Sequence, residues 1–165
     1  MASLFTKIVQ GEIPAYKVAE DSQFLAFLDI RPNCKGHTLC IPKKEVDYIF
    51  DMEEQMYMEL MRFSRKVALA LEKTVSCKRV GVAVVGLEVP HTHVHLIPLN
   101  DMSDMNFANH YEMTDDDFKG LGFSRQKARY SRLLAAAVDD GSLSLKKISL
   151  YDDEAAKTEL MKITG

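Results

Sequence analysis

Apolar and polar positions divide this chain into short hydrophobic runs separated by turn residues, with one long helical stripe among them. Leu4, Phe5, Ile8 and Val9 recur at helical spacing behind Ser3, whose hydroxyl suits an N-cap, and Gly11 suits the left-handed residue that ends a helix. Ile13-Pro14 then breaks the chain. Tyr16 to Ala19 and Phe24 to Asp29 read as a hairpin around the polar cluster Glu20-Asp21-Ser22. After turn signals at Arg31-Pro32-Asn33 and Lys35-Gly36, His37 to Ile41 reads as a third strand closed by Pro42. Asp51 and Glu54 resemble a capping box ahead of Met56, Leu60, Phe63, Val67 and Ala70 or Leu71, the stripe of the main helix. Its methionines are read as packing, since a stripe at three- and four-residue steps is what a core face requires. Val80 to Val85 is a β-branched run that predicts a buried strand. The fold class is therefore α+β, with a five-stranded antiparallel sheet, one long helix and one short N-terminal helix.

The fifth strand carries the chemistry. His91, His93 and His95 alternate with Thr92, Val94 and Leu96 between Pro90 and Pro98, and they include three of the chain's five histidines. In an extended segment the imidazoles share one face and the apolar residues the other. Such a row serves metal binding, catalysis or structure, and the spacing alone leaves all three open. His37 opens the third strand beside a permissive glycine, where taken alone it reads as a surface turn residue. His110, in Asn109-His110-Tyr111, receives no role.

Composition narrows the setting. A chain of 165 residues suffices for one domain with a real core, and no apolar run approaches membrane-spanning length. The N-terminal residues carry neither a basic nor a long apolar leader, so a cytoplasmic location is expected. Cys34, Cys40 and Cys77 are odd in number and widely spaced, which fits reduced thiols rather than a disulfide framework, and none forms a C-x-x-C zinc pair. A net charge of -3 argues against wholesale nucleic-acid binding but leaves room for a small anionic ligand held by local donors.

The segment His91-Thr92-His93-Val94-His95-Leu96-Ile97 resembles the H-x-H-x-H motif of the histidine triad (HIT) proteins. Leu4-Phe5-Thr6-Lys7-Ile8, Gly11-Glu12-Ile13-Pro14-Ala15, Ala26-Phe27-Leu28-Asp29-Ile30 and Gly36-His37-Thr38-Leu39-Cys40-Ile41-Pro42-Lys43 resemble further blocks of that family in order and spacing. The likeness spans residues 3–118. It implies a nucleotide hydrolase or nucleotidyl transferase, usually a homodimer, binding a purine nucleotide or nucleotide conjugate without metal or other cofactor. By the same resemblance His93 is the nucleophile toward an α-phosphorus and forms a nucleotidyl-histidine intermediate, while His91, His95 and His37 complete the catalytic set. The resemblance also assigns Phe5, Ile8, Ile13, Phe27 and Ile30 to the base pocket and Asp29 to the ribose hydroxyls. A carboxylate closing an apolar strand needs polar partners, and paired sugar hydroxyls supply them.

Two features depart from the family pattern. Gly86 is followed by Leu87 and Glu88 where a longer, glycine-rich loop with Asn, Gln and Ser donors to phosphate is usual; Glu88 is read as an outward, solvated carboxylate. Residues 119–165 form an extension beyond the family blocks at 1–118, expected to be helical from Ser124 to Val138, with Gly141 as terminator, and again from Asp152 to Lys162. Gly120-Leu121-Gly122-Phe123-Ser124-Arg125-Gln126-Lys127-Ala128-Arg129-Tyr130, with Asp152 to Ala156 and Leu160 to Gly165, resembles a segment of helix-hairpin-helix DNA glycosylases of the alkyl-base-removing type. The likeness stops before the catalytic aspartate of that family, which implies a fragment without a second active site. Arg125, Lys127, Arg129 and Arg132 are read as a solvated face in preference to phosphate contacts, and the alternatives to a nucleotide enzyme are a non-catalytic nucleotide- or metal-binding module or a DNA-repair accessory acting through this tail.

Overall fold

A computed structural model describes residues 2–120 and 124–163. The chain divides into two compact units, residues 1–111 and 112–165.

The first unit is built on a sheet of order β1-β2-β3-β5-β4, with every neighbouring pair antiparallel. Its strands are β1 (Lys17–Glu20), β2 (Phe24–Leu28), β3 (Thr38–Pro42), β4 (Arg79–Ala83) and β5 (Val94–Leu99). The helices are α1 (Leu4–Gln10) and α2 (Glu54–Thr74). Alternation along the strands sorts the core into two layers. Phe24, Ala26, Cys40, Val94 and Leu96 face α2 and meet its stripe of Leu60, Phe63, Val67 and Leu71. Leu25, Phe27, Leu39 and Ile41 face the other way and bury Phe5 and Ile8 of α1. Each of these large side chains contributes about 1.5–3 kcal/mol by leaving water. Since Leu39 pairs with His95 in the β3–β5 register, the imidazole lies on the α1 face of the sheet.

Local chemistry fixes α1 as its sequence indicates. Ser3 accepts from the Thr6 backbone N–H, and Gly11 takes φ 79°, donating its own N–H to Ile8. The start of α2 differs from expectation. Its N-cap is Glu53, with no side-chain cap bond, and Asp51 instead closes a short 3-10 turn, Ile49–Asp51. That extra turn leaves Asp51 two residues ahead of the N-cap, so the capping-box spacing points at the wrong residue. The histidine strand is also shorter at its start than alternation predicts, because the β3 pairing reaches no further than Cys40 with Val94 and the β4 pairing no further than Ala83 with His95. His91 and Thr92 are held otherwise: Thr92 donates its N–H to Val46 and its hydroxyl to Asp47. At the other end β5 runs through Pro98 to Leu99, and Pro98 lies past the last β3 pair, Thr38 with Leu96.

The second unit is helical: α3 (Asp115–Gly120), α4 (Arg125–Asp139), α5 (Leu145–Ile148) and α6 (Asp153–Met161). Ser124 caps α4 by accepting from Lys127, Asp152 caps α6 by accepting from Ala155, and Gly141 follows α4 at φ 75°. Its boundary falls at 111/112, ahead of the 118/119 division that the family blocks suggest, because α3 packs with α4. Leu121, Gly122, Phe123, Thr164 and Gly165, part of the glycosylase-like segments, lie outside the described residues.

Candidate active site

Four histidines converge on the α1 face of the sheet, and each is nearly or wholly buried. His37, which alone reads as a surface turn residue, is 1% exposed, because the β2–β3 connection folds it against His95. The ring centroids of His93 and His95 are 4.8 Å apart, and those of His37 and His95 are 5.2 Å apart.

Hydrogen-bond partners assign the ring protons. His91 Nε2 lies 2.8 Å from the Pro42 carbonyl, which only accepts, so that nitrogen donates. The Ser3 hydroxyl lies 2.9 Å from His91 Nδ1 and donates to it. His93 Nδ1 donates to the His91 carbonyl at 2.7 Å, which leaves the lone pair on Nε2 of a ring that lines the cleft. The backbone N–H of Asn33 donates to His37 Nδ1 at 3.2 Å, so His37 carries its proton on Nε2 and gives it to His95 Nδ1 at 3.0 Å. His95 in turn must carry its proton on Nε2. One ring therefore offers a nucleophilic lone pair beside another that offers a donor.

Burial favours the neutral form of His37, His91 and His95. It lowers the pKa of His37, with the Asp29 carboxylate opposing and any charge on the His93 ring acting in the same direction as burial. His91 is lowered by burial against the opposing bond to Pro42. His95 is pushed down to about 3, again chiefly by burial and then by the neighbouring imidazoles. Asp29 Oδ2 approaches His37 Nδ1 at 3.7 Å, while Oδ1 accepts from the Arg31 N–H at 2.8 Å. With His37 neutral and its Nδ1 occupied by Asn33, that approach is no ion pair, and the carboxylate retains lone pairs for other donors.

Beside the histidines lies a cleft of about 490 Å³. Phe5, Ile8, Ile13, Phe27, Asp29 and Ile30 all line it, so every residue that the resemblance assigned to nucleotide contact reaches one cavity. They are not equivalent. Phe5, Ile8 and Phe27 are buried, with Phe5 and Phe27 meeting edge to face at 5.5 Å, whereas Ile30 is 81% exposed. Ile8 belongs at once to the core and to the cleft wall. Asn33, Phe107 and His110 also line the cleft, and sequence reasoning gave them no part. Phe107 lies edge-on to His95 at 4.8 Å, yet its segment has no period that would have marked it. Leu87 and Glu88, in the loop after β4, are exposed at the cleft, with Gly86 at φ 70° before them.

Among the described residues, Asp29, His37 and His95 form a group whose potential ligand atoms lie within 4.8 Å of one another. The facing nitrogens of the two histidines already share a proton, so a cation enters there only by displacing it. Cys34 and Cys40 are free thiols raised to about 11 and about 12, chiefly by burial, and offer no ready thiolate.

A family model for the HIT domain matches residues 10–102, and the chain belongs to the HIT family. Among its relatives is an adenosine 5′-monophosphoramidase of Saccharomyces cerevisiae, 35% identical over 122 residues, covering 73% of this chain and 77% of that protein. A zinc-bound histidine triad family protein from Mycobacterium smegmatis shares the fold with TM-score 0.62 at 26% identity, over 82% of this chain and 98% of its own. A HIT family member from Bacillus subtilis does so with TM-score 0.60 at 26% identity, over 87% of this chain and 99% of its own. Residues 1–118 are less than three quarters of the chain, so this last match takes in part of the C-terminal residues as well. None of the comparisons shows the likeness to a DNA glycosylase. No helix among the described residues is long and apolar enough to cross a membrane.

Proposed function

We propose that the protein is a nucleotide hydrolase or nucleotidyl transferase acting at an α-phosphate through a nucleotidyl-histidine intermediate. The observation that carries this reading is the 2.7 Å bond from His93 Nδ1 to the His91 carbonyl, which fixes the tautomer and directs the Nε2 lone pair to the cleft. His93 Nε2 attacks the α-phosphorus, a P–N bond forms and the bond to the leaving group breaks. The His95 Nε2–H, held by the His37–His95 bond, hydrogen-bonds the departing group, which takes its proton from solvent in the cleft. For hydrolysis water then attacks phosphorus, the P–N bond to His93 breaks, the water's proton returns to solvent and the nucleoside monophosphate leaves with the Nε2 lone pair restored; for transfer another acceptor takes the place of water. Phe5, Ile8, Ile13, Phe27 and Ile30 hold a purine base, and Asp29 accepts from the ribose hydroxyls. The monophosphoramidase among the relatives supports a nucleoside phosphoramidate as one substrate class. No residue in this scheme requires a metal or cofactor.

The active assembly in this reading is a cytoplasmic homodimer with neither a membrane nor nucleic acid as partner. The open edge at β4, where Val82 is about half exposed, supports pairing between two sheets. The C-terminal helices form no second, base-excising site. His93→Ala tests the scheme: turnover falls by several orders of magnitude while nucleotide binding remains measurable, since attack is lost and the base and ribose contacts stay. Near wild-type turnover in a purified variant overturns it.

A further inference from the structure

A second cluster of polar side chains sits behind the triad, where the scheme above assigns no role. Ser3, at the cap of α1, and Thr6, within α1, bring their hydroxyls to 2.9 and 3.4 Å from His91 Nδ1, and Glu45, from the segment after β3, accepts from both residues. Ser3 is 7% exposed and His91 is fully buried, so bonds between them are not exchanged freely with water.

The Ser3 and Thr6 hydroxyls lie 3.0 Å apart and both approach His91 Nδ1, and the Glu45 carboxylate decides which of them serves the ring. The Glu45 carboxylate accepts from the Ser3 N–H at 2.9 Å and from the Thr6 hydroxyl, and these bonds hold its pKa down at about 2. With the Thr6 proton committed to Glu45, the Ser3 oxygen accepts from the Thr6 N–H at 3.1 Å and directs its own proton to His91 Nδ1. His91 then gives its Nε2 proton to Pro42. The ring is gripped at both nitrogens, and its own carbonyl is the group that orients His93. Reversing the tautomer would set a lone pair against the Pro42 carbonyl and a proton against the Ser3 hydroxyl.

From this geometry we infer that Ser3, with Thr6 and Glu45 behind it, is a positioning residue that locks the His91 tautomer and, through the His91 carbonyl, the aim of the nucleophile. The same short helix carries Phe5, whose ring meets His93 edge-on at 5.1 Å and His91 at 5.9 Å. One cap thus ties a wall of the base pocket to the attacking ring. The inference rests on His93 being the nucleophile, but its spectroscopic consequence does not.

The test uses the full chain labelled with 15N-histidine. In the unsubstituted protein His91 shows a protonated Nε2 and a hydrogen-bonded, unprotonated Nδ1. In Ser3→Ala the Nδ1 resonance moves toward that of an unbonded nitrogen and kcat drops about ten- to a hundredfold, more than KM changes, because a misaimed nucleophile still binds substrate. Ser3→Thr restores both, as it keeps the hydroxyl and the cap. Glu45→Ala, at an exposed position with little risk to folding, shifts the His91 resonance and lowers kcat severalfold by releasing the Thr6 hydroxyl. An unchanged His91 spectrum and kcat in Glu45→Ala and in a folded Ser3→Ala overturn the inference, as does a loss confined to KM. His93→Ala in the same assay separates the two readings: if it retains turnover, the nucleophile assignment has failed, whatever Ser3 does to the His91 spectrum.

Discussion

Acidification from about pH 7.5 to about pH 5 should destabilise the sheet unit through histidines that the fold keeps neutral. His95 is 7% exposed and pushed down to about 3, against an ordinary value of 6.5. Below 6.5 the unfolded chain binds a proton at this position and the native one does not, so stability is full above 6.5 and declines as pH falls toward 3. The slope for one such group is about 1.4 kcal/mol per pH unit, which gives about 2 kcal/mol by pH 5 for His95 alone. His37 and His91, also lowered by burial, add losses of the same sign. Against a typical domain stability of about 5–15 kcal/mol this is a large fraction. The exposed carboxylates at Glu20 and Glu45, both held near 2, titrate in a lower window and do not imitate the effect. Urea denaturation followed by tyrosine fluorescence at several pH values measures it, with His95→Asn as the control whose pH dependence is shallower by the share of one group. Stability that stays flat or rises between pH 7 and pH 5 would refute the reasoning.

Two further outcomes follow from the cleft and the chain's division. Glu88→Gln should leave the fold intact and change catalytic efficiency only modestly, since an exposed carboxylate acts weakly through solvent; a large change insensitive to salt would place it beside the phosphate. A chain ended after Tyr111, the last residue of the first unit, should retain nucleotide turnover, because every assigned residue precedes that point. Loss of turnover in a folded truncation would show that the helices complete the site, and release of an alkylated base by the full chain would show that they hold a second one.

Much of this architecture is legible in the sequence because its signals are local. The strict alternation from His91 to Leu96 sorts imidazoles from packing residues, and the β3–β5 register bears that out at His95. Ser3 and Gly11 bound α1 through bonds within a few residues of themselves. The misses are non-local. Nothing near Asp51 announces the 3-10 turn that displaces it from the helix cap. The burial of His37 depends on a partner 58 residues away, and Phe107 meets His95 from a segment without periodicity. The Ser3–His91 bond spans 88 positions, so a serine that reads only as a cap also serves a histidine.

The central claim, that His93 carries the nucleotidyl group, is tested most directly by the mass of the intact protein during a single turnover. Protein in excess over adenosine 5′-phosphoramidate is quenched at alkaline pH at successive times, since a P–N bond to imidazole survives base better than acid. The account predicts a transient gain of one adenylyl group that rises and decays with product release and is absent in His93→Ala. Turnover with no such species at any time, or the same adduct in His93→Ala, would contradict it.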